Sequence, residues 1–515
     1  MSFLHGLTTD RRRLLASVIV VLAVAAFVRF YNIQWSFSNN GIDEGVMLER
    51  SLMVSRGYAL YTELPCDQAP LAFYLGAQFG GDPIILRSLD ATLSVLAIAA
   101  CMEAARRIKG NVAMLATGIL LTVDFAFLRE SRLFSLDGMS SFFLAYSVLL
   151  FVLYVQKHSR LALAGSGLMV GMSATSKLFG VLGLLGMIVF ILLEMRRAKS
   201  TKGASILDLL LVTIVAAVPM TMFLMALGPS DMLQGMVFDQ GHRSFDPFLK
   251  LSIPLYFGLN LAYALPLIRV RSLWKAGPEH RFLMTISLTI LAFMVFEPLV
   301  FFHHMVLLSP TLAILAGVVI GVEAERRKGE ITSGLDADIR KKSVSMNHAI
   351  EAVFLAGLLV SAGLAAYGLA LQGETWQSRY AERMNEITGT DDWVISGDPL
   401  VAAYAGRAVP PDMVNLAFRI HPDFTIEDVE SAIVNYNVSV VVVSYRLNDY
   451  WDLLEFLGDH NYSLATENWI GQWERSVLDI PADPYGPLWF FVRNDIVNRY
   501  DIPTTDWQLW VTSGS

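Results

Sequence analysis

Cysteine is scarce in this chain of 515 residues: Cys66 and Cys101 are the only two. Two cysteines cannot build a disulfide framework. Cys101 stands inside an apolar run and Cys66 in a loop, so both are expected as free thiols. Charge is scarce as well. Asp, Glu, Lys and Arg make up 17% of the residues, against roughly 25% in a soluble domain. Hydrophobic residues account for 54%. Basic residues are in deficit, with a formal net charge of −8. They gather in short clusters between apolar runs, and the C-terminal quarter is acidic. That distribution argues against nucleic acid as a partner. Internal repeats and low-complexity segments are missing. The first apolar run has no clear small-residue cleavage site, and more runs follow it, so no cleavable signal peptide is expected.

What the chain has instead is a series of apolar runs. Runs of about 17–25 residues can cross a hydrocarbon core. They fall near 14–31, 83–105, 111–128, 136–156, 161–175, 178–194, 205–227, 250–269, 282–301, 305–323 and 349–371. The weakest stretch is 161–194. As one helix it would measure about 51 Å, too long for a single span and short for two. The polar patch Ser173-Ala174-Thr175-Ser176-Lys177 sits in its middle, so we read two short helices meeting at a polar turn. Lys and Arg in short loops set orientation. Arg11-Arg12-Arg13, Arg106-Arg107-Lys109, Lys157, Arg160, Arg196-Arg197-Lys199-Lys202, Arg269-Arg271-Lys275, Arg326-Arg327-Lys328 and Arg340-Lys341-Lys342 mark the cytoplasmic side. The opposite side carries few cations: Arg50, Arg56, Arg129, Arg132, Lys177 and Arg243.

The expected architecture is an α-helical polytopic membrane protein of about eleven spans, residues 1–373, followed by an extracytoplasmic α/β domain, residues 374–515. In the tail, Trp393–Ser396, Val438–Ser444 and Leu488–Val492 read as strands. Thr425 reads as the cap of a helix over 426–435, with acids in its first turn. A further helix is expected over 449–459. Asn437 and Asn461 stand in Asn-x-Ser sites and would accept glycans in a host that modifies this face. Asn437 is the poorer acceptor, since it abuts a strand read as buried.

The outer side concentrates the chemistry. The loop 32–82 carries the adjacent carboxylates Asp43 and Glu44, then Glu63 and Asp67. Arg129-Glu130-Ser131-Arg132 and Asp137 lie between the third and fourth spans. Lys177 stands at the hairpin turn, and His303-His304 between the ninth and tenth spans. Acidic and basic groups at membrane level are costly and mark function by default. A carboxylate can take the proton of an acceptor hydroxyl. Arg, Lys or His can hold a departing phosphate, and an apolar bundle beside them can hold a lipid tail. Asp43 and Glu44 point about 100° apart if helical, so one role for both is not expected. Each group also has an ordinary reading. Arg129 can snorkel to headgroups or pair with Glu130, and Arg132 can snorkel likewise. Asp137 can open a helix, and one histidine can be interfacial.

At these residues the chain resembles membrane glycosyltransferases of the GT-C type, in particular the protein O-mannosyltransferase and lipid A aminoarabinose transferase group. The resemblance covers roughly 12–371. It rests on Asp43-Glu44 after the first span, Gly57 and Tyr61 followed by Pro70-Leu71, Arg132 with Asp137, Lys177 in Thr-Ser-Lys-Leu-Phe-Gly, and His304 followed by Ser309-Pro310. It implies transfer of a sugar from a polyprenyl- or dolichyl-phosphate donor to an acceptor hydroxyl on a lipid, glycan or protein. It also implies inversion at the anomeric carbon. Asp43 inherits the role of base, with Glu44 orienting it or pairing with a cation. Arg132, Lys177, His304 and Arg129 fall near the donor phosphate, and Asp137, Tyr61 and His303 line the pocket. A divalent cation held by Asp67 and Glu63 is the one cofactor considered.

The chain also departs from the group. It reads Asp67-Gln68-Ala69-Pro70 where the aminoarabinose transferases carry an acid followed by Lys-Pro-Pro. No outer loop has room for a sugar-binding module, and the Trp-Trp-Asp signature of oligosaccharyltransferases is missing. The expected location is a prokaryotic plasma membrane, with the active site and tail outside. The main rival is a transporter or lipid-linked-sugar flippase, which predicts inverted repeats and interrupted helices at the midplane; a ligand-binding scaffold is the other. Neither repeats nor interruptions are evident in the sequence.

Overall fold

The computed structural model describes residues 10–35, 37, 42–197, 202–238, 245–333, 337–414, 425–444, 447, 451–470 and 489–506. Lys199 and Arg243 lie outside the described residues. The chain divides into two compact units. One comprises Met1–Ile33, Arg87–Ala226 and His242–Ala370; the other comprises Gln34–Leu86, Leu227–Gly241 and Leu371–Ser515. The sequence boundary at 373/374 thus falls close to a unit boundary, but the loop after the first span groups with the tail.

In the first unit every one of the eleven apolar runs is helical over most of its length. Eight helices among the described residues are long and apolar enough to cross a bilayer, and nine if Leu249–Leu259 and Leu261–Ile268, bent by 94°, form one span. The difference from eleven has two local causes. Pro83–Val123 covers two of the runs and breaks at Lys109 and Gly110, where Gly110 adopts a φ of 77°. Arg160–Ser176 is only 17 residues long.

The polar patch at 173–177 does interrupt the chain. Arg160–Ser176 ends on Lys177, whose extended backbone donates its N–H to the Ser173 carbonyl at 3.0 Å. A 3-10 turn, Leu178–Gly180, then leads into Val181–Arg197. A Cβ at Gly180 would collide with the backbone of Ser173 and Ala174. Only glycine lets the turn fold back this closely.

Apolar residues do not drive helix association inside lipid, so close contact uses small residues. Gly167 and Gly171 press Arg160–Ser176 onto Lys202–Leu227: a Cβ on Gly167 would sit 2.9 Å from the Val212 carbonyl oxygen, and one on Gly171 would meet that of Ala216. Ser147 and Ser166 hydrogen-bond across the neighbouring helix pair at 3.0 Å. Elsewhere aromatic rings fill the bundle, with Phe151 stacked on Phe282 at 4.2 Å.

The second unit contains a mixed five-stranded sheet. Its strands are β1 (Val394–Ser396), β2 (Val440–Val443), β3 (Tyr462–Ala465), β4 (Trp489–Arg493) and β5 (Thr504–Thr505), in the order β1-β2-β4-β3-β5. Only β1 and β2 run parallel. The helix Ile426–Asn435 lies between them in sequence, as a parallel crossover requires. Its start is capped as expected, with the Asp428 carboxylate accepting from the Thr425 N–H at 2.6 Å. The buried run around 440 is β2 and the run from 489 is β4; Leu488 lies outside the described residues. The helix expected over 449–459 is described over Trp451–Asp459. Asn437 lends both its side-chain and main-chain oxygens to Arg493 at 2.7 Å.

The segment 42–86 contributes two helices, Ile42–Ser55 and Leu71–Ala77, to this unit. Gly45 makes a close approach to the helix Pro399–Ala405. A Cβ there would lie 2.7 Å from the Pro399 carbonyl carbon and would also strike the Leu400 amide. Overpacking of this kind costs about 1–3 kcal/mol. Gly45→Ala is therefore expected to lower the melting temperature of the purified protein, and an unchanged melting curve would show that the helix can step aside.

Candidate functional site

The helix Leu136–Lys157 starts where Ser135 accepts from the Gly138 N–H at 3.1 Å, so Asp137 sits in its first turn. The Asp137 carboxylate is met by the Lys177 ammonium at 3.2 Å and by His303 Nε2 at 3.9 Å. Lys177 and Asp137 side chains are only 13% and 11% exposed, so each charge depends on the other. His303 and His304 stand perpendicular with ring centroids 4.5 Å apart. Phe301 stacks on His303 at 5.4 Å, and Phe179 abuts His304 at 4.9 Å. Lys177 also faces the Phe179 ring, 5.9 Å from its centre. Four of the residues singled out in the sequence, from three separate segments, thus form one cluster with apolar walls.

Asp137, His303 and His304 are the group among the described residues whose ligand atoms, within 4.8 Å of one another, suit a metal. Two features favour an anion instead. An ammonium already lies against the carboxylate. His304 Nδ1 accepts from the Phe301 N–H at 3.4 Å, which leaves the ring proton on Nε2. A lysine and an Nε2–H donor beside one another suit phosphate oxygens. Asp67 and Glu63, the pair read as cation ligands, are engaged elsewhere. Asp67 pairs with Arg50 at 3.3 Å, and Glu63 accepts from the Ala59 N–H at 2.7 Å.

Two arginines have other partners. Arg132 is fully buried and donates to the main-chain oxygens of Val28 and Tyr31, closing the C-terminal end of the helix Arg11–Phe30. This is the stabilising position for a cation at a helix end. Arg129 pairs with Glu130, which also accepts from Ser135.

In the other unit, Asp43 and Glu44 occupy the first turn of Ile42–Ser55. Asp43 is exposed, whereas Glu44 is 2% exposed, so the two neighbours do part as helical geometry requires. The same helix buries Glu49 and Arg50, and Arg50 lies over the Phe73 ring at 5.5 Å. Tyr61, with φ of 74°, donates its hydroxyl to the Gln68 carbonyl at 2.6 Å. Burial drives its pKa well above the ordinary phenol range, so it acts as a donor. Cys66 is a buried free thiol whose pKa burial pushes up to about 11, against the opposing pull of Arg50. Cys101 is also buried and free.

Sequence reasoning missed Asp124 and Arg29. Both are fully buried. Asp124 caps the short helix Phe125–Glu130, and Arg29 donates to Ser94 Oγ at 2.8 Å and to the Ala25 and Leu121 carbonyls at 3.1 Å. Their signal was a charged residue at the end of an apolar run.

No curated protein matches the sequence. Residues 68–223 match the family model described as dolichyl-phosphate-mannose-protein mannosyltransferase. Among solved structures, ArnT from Cupriavidus metallidurans bound to undecaprenyl phosphate is 17% identical, covering 86% of this chain and 94% of that one, with a TM-score of 0.57. The apo form of the same protein is 16% identical over 93% of this chain and 98% of that one, with a TM-score of 0.60. The archaeal oligosaccharyltransferase AglB from Archaeoglobus fulgidus, in complex with an inhibitory peptide and a dolichol-phosphate, is 15% identical over 91% and 75%, with a TM-score of 0.55. At such identities the likeness concerns the fold. The chain is a multi-pass membrane protein with the GT-C fold of membrane glycosyltransferases, as the resemblance in its sequence implies.

Proposed function

We propose that the protein is an inverting glycosyltransferase that moves a sugar from a polyprenyl- or dolichyl-phosphate donor to an acceptor hydroxyl at the outer face of a prokaryotic plasma membrane. The observation that carries this reading is the cluster of Lys177, Asp137, His303 and His304 beside apolar helices. In the donor complex, Lys177 and the imidazoles hold the phosphate, and Asp137 keeps the lysine aimed while the site is empty of anion. Arg129 and Arg132 shape the surrounding turns through the partners they already have. Asp43 accepts the proton of the acceptor hydroxyl. The new bond joins the acceptor oxygen to the anomeric carbon. The bond from that carbon to the phosphate oxygen breaks, and the lipid phosphate leaves with its electron pair. Direct displacement inverts the anomeric centre. The acceptor is a glycan, lipid or protein.

Purified protein in lipid nanodiscs, offered a panel of labelled polyprenyl-phosphate sugars with candidate acceptors, is expected to release lipid phosphate from at least one donor. Failure with every donor, in protein that remains folded and binds lipid phosphate, would overturn the assignment to sugar transfer.

A further inference from the structure

A carboxylate outside the Lys177 cluster sits at the centre of a second polar network. Asp124 is fully buried. Its Oδ1 accepts from the Phe127 N–H at 3.1 Å, and its Oδ2 from the Tyr263 hydroxyl at 2.7 Å. The Ser309 hydroxyl neighbours this carboxylate, and the hydroxyls of Ser309 and Tyr256 are 2.8 Å apart. One carboxylate therefore gathers the start of the helix Phe125–Glu130 and the segment Leu261–Ala264, and the first residue of the helix Ser309–Ser333 lies beside it.

These attachments bracket the cluster. Ser309 directly follows the 3-10 segment Phe302–Leu308, which carries both histidines. Phe125–Glu130 leads through Arg132 and Ser135 to Asp137. Phe125 and Phe302 touch, with ring centres 6.3 Å apart. Ser141, one turn beyond Asp137, donates to the Val306 carbonyl at 3.0 Å. A capping aspartate needs one amide hydrogen bond to serve its helix. The Tyr263 hydroxyl from a distant segment, with the Ser309 hydroxyl beside it, exceeds that requirement. Buried networks that are fully satisfied select one arrangement of their elements.

We infer that Asp124, acting with Tyr263 and Ser309, is a positioning residue that sets His304 against Asp137 and Lys177 for the donor phosphate. This deepens the functional reading above and rests on it. It acts through the Ser309 end of the histidine segment and touches no reacting atom.

The test is a double-mutant cycle on Ser309→Ala and His304→Ala, read as affinity for undecaprenyl phosphate by native mass spectrometry, with melting temperatures recorded alongside. Ser309→Ala is expected to weaken binding about fivefold when His304 is present and less than twofold when it is Ala, since coupled residues depart from additivity. Tyr263→Phe, which keeps the ring and removes one donor, is expected to follow the same pattern. Equal losses in both backgrounds would reduce Asp124 to a structural cap. Absence of lipid-phosphate binding by the unaltered protein would overturn the functional reading together with this one. Binding with additive losses overturns this inference alone.

Discussion

Asp43→Asn is expected to lower sugar transfer by about 10²–10⁴-fold, the usual contribution of a general base, while leaving expression and melting temperature unchanged. Asparagine keeps the shape and an acceptor oxygen but cannot take the proton from a hydroxyl. The contrast with Glu44 makes the test sharp. Asp43 is exposed and Glu44 is 2% exposed in the same helical turn. Surface substitutions away from special features stay within about 0.5 kcal/mol, so lost activity at Asp43 reports chemistry. Glu44→Gln alters a buried group and is expected to act on stability first. Turnover by Asp43→Asn near that of the unaltered protein would remove Asp43 from the mechanism. Loss confined to Glu44→Gln, at constant melting temperature, would move the base by one residue.

Lys177→Ala carries the second large effect, and it has two components. Removing the ammonium leaves Asp137 buried without its closest counter-charge, and breaking a buried pair costs about 3–5 kcal/mol. It also removes the cation assigned to the donor phosphate. The double variant Lys177→Ala/Asp137→Asn separates the two. It takes away both charges, so most of the lost stability is expected to return in thermal unfolding. Donor saturation is expected to stay weak, because no ammonium faces the phosphate. If the double variant regains ordinary donor saturation, the pair is structural and the phosphate contact lies elsewhere. If Lys177→Ala itself saturates normally, the lysine plays no part in donor binding.

Much of this molecule follows from patterns one residue type deep. Apolar runs long enough for a bilayer become helices because the lipid leaves the backbone no other partner, and all eleven runs are helical. The polar patch ending at Lys177 marks a true break, since a lysine that must reach a carboxylate and a close-packed Gly180 oppose a continuous apolar helix there. Thr425 with Asp428 marks the start of Ile426–Asn435 through ordinary capping chemistry. The short strands β3 and β5 escaped notice because four residues and two residues carry too little alternation to identify.

Side-chain partnership was less legible. Arg132 looked like an anion ligand, yet its guanidinium closes a helix end formed by Val28 and Tyr31, about a hundred positions away. Asp67 and Glu63 looked like a cation pair, yet Arg50 and a main-chain amide engage them. Asp124 drew no attention, although two distant hydroxyls converge on it. Composition and the spacing of apolar and polar residues determined by themselves that the chain is a helical membrane protein with a C-terminal α/β sheet region, because burial and backbone pairing depend on local pattern. Tertiary structure alone decided that Lys177, Asp137, His303 and His304 meet and that Arg132 donates to the end of the helix Arg11–Phe30. The reason is geometric: each contact of a few ångströms joins residues separated by tens to more than a hundred positions, and no local pattern records which of several similar charges will be brought together.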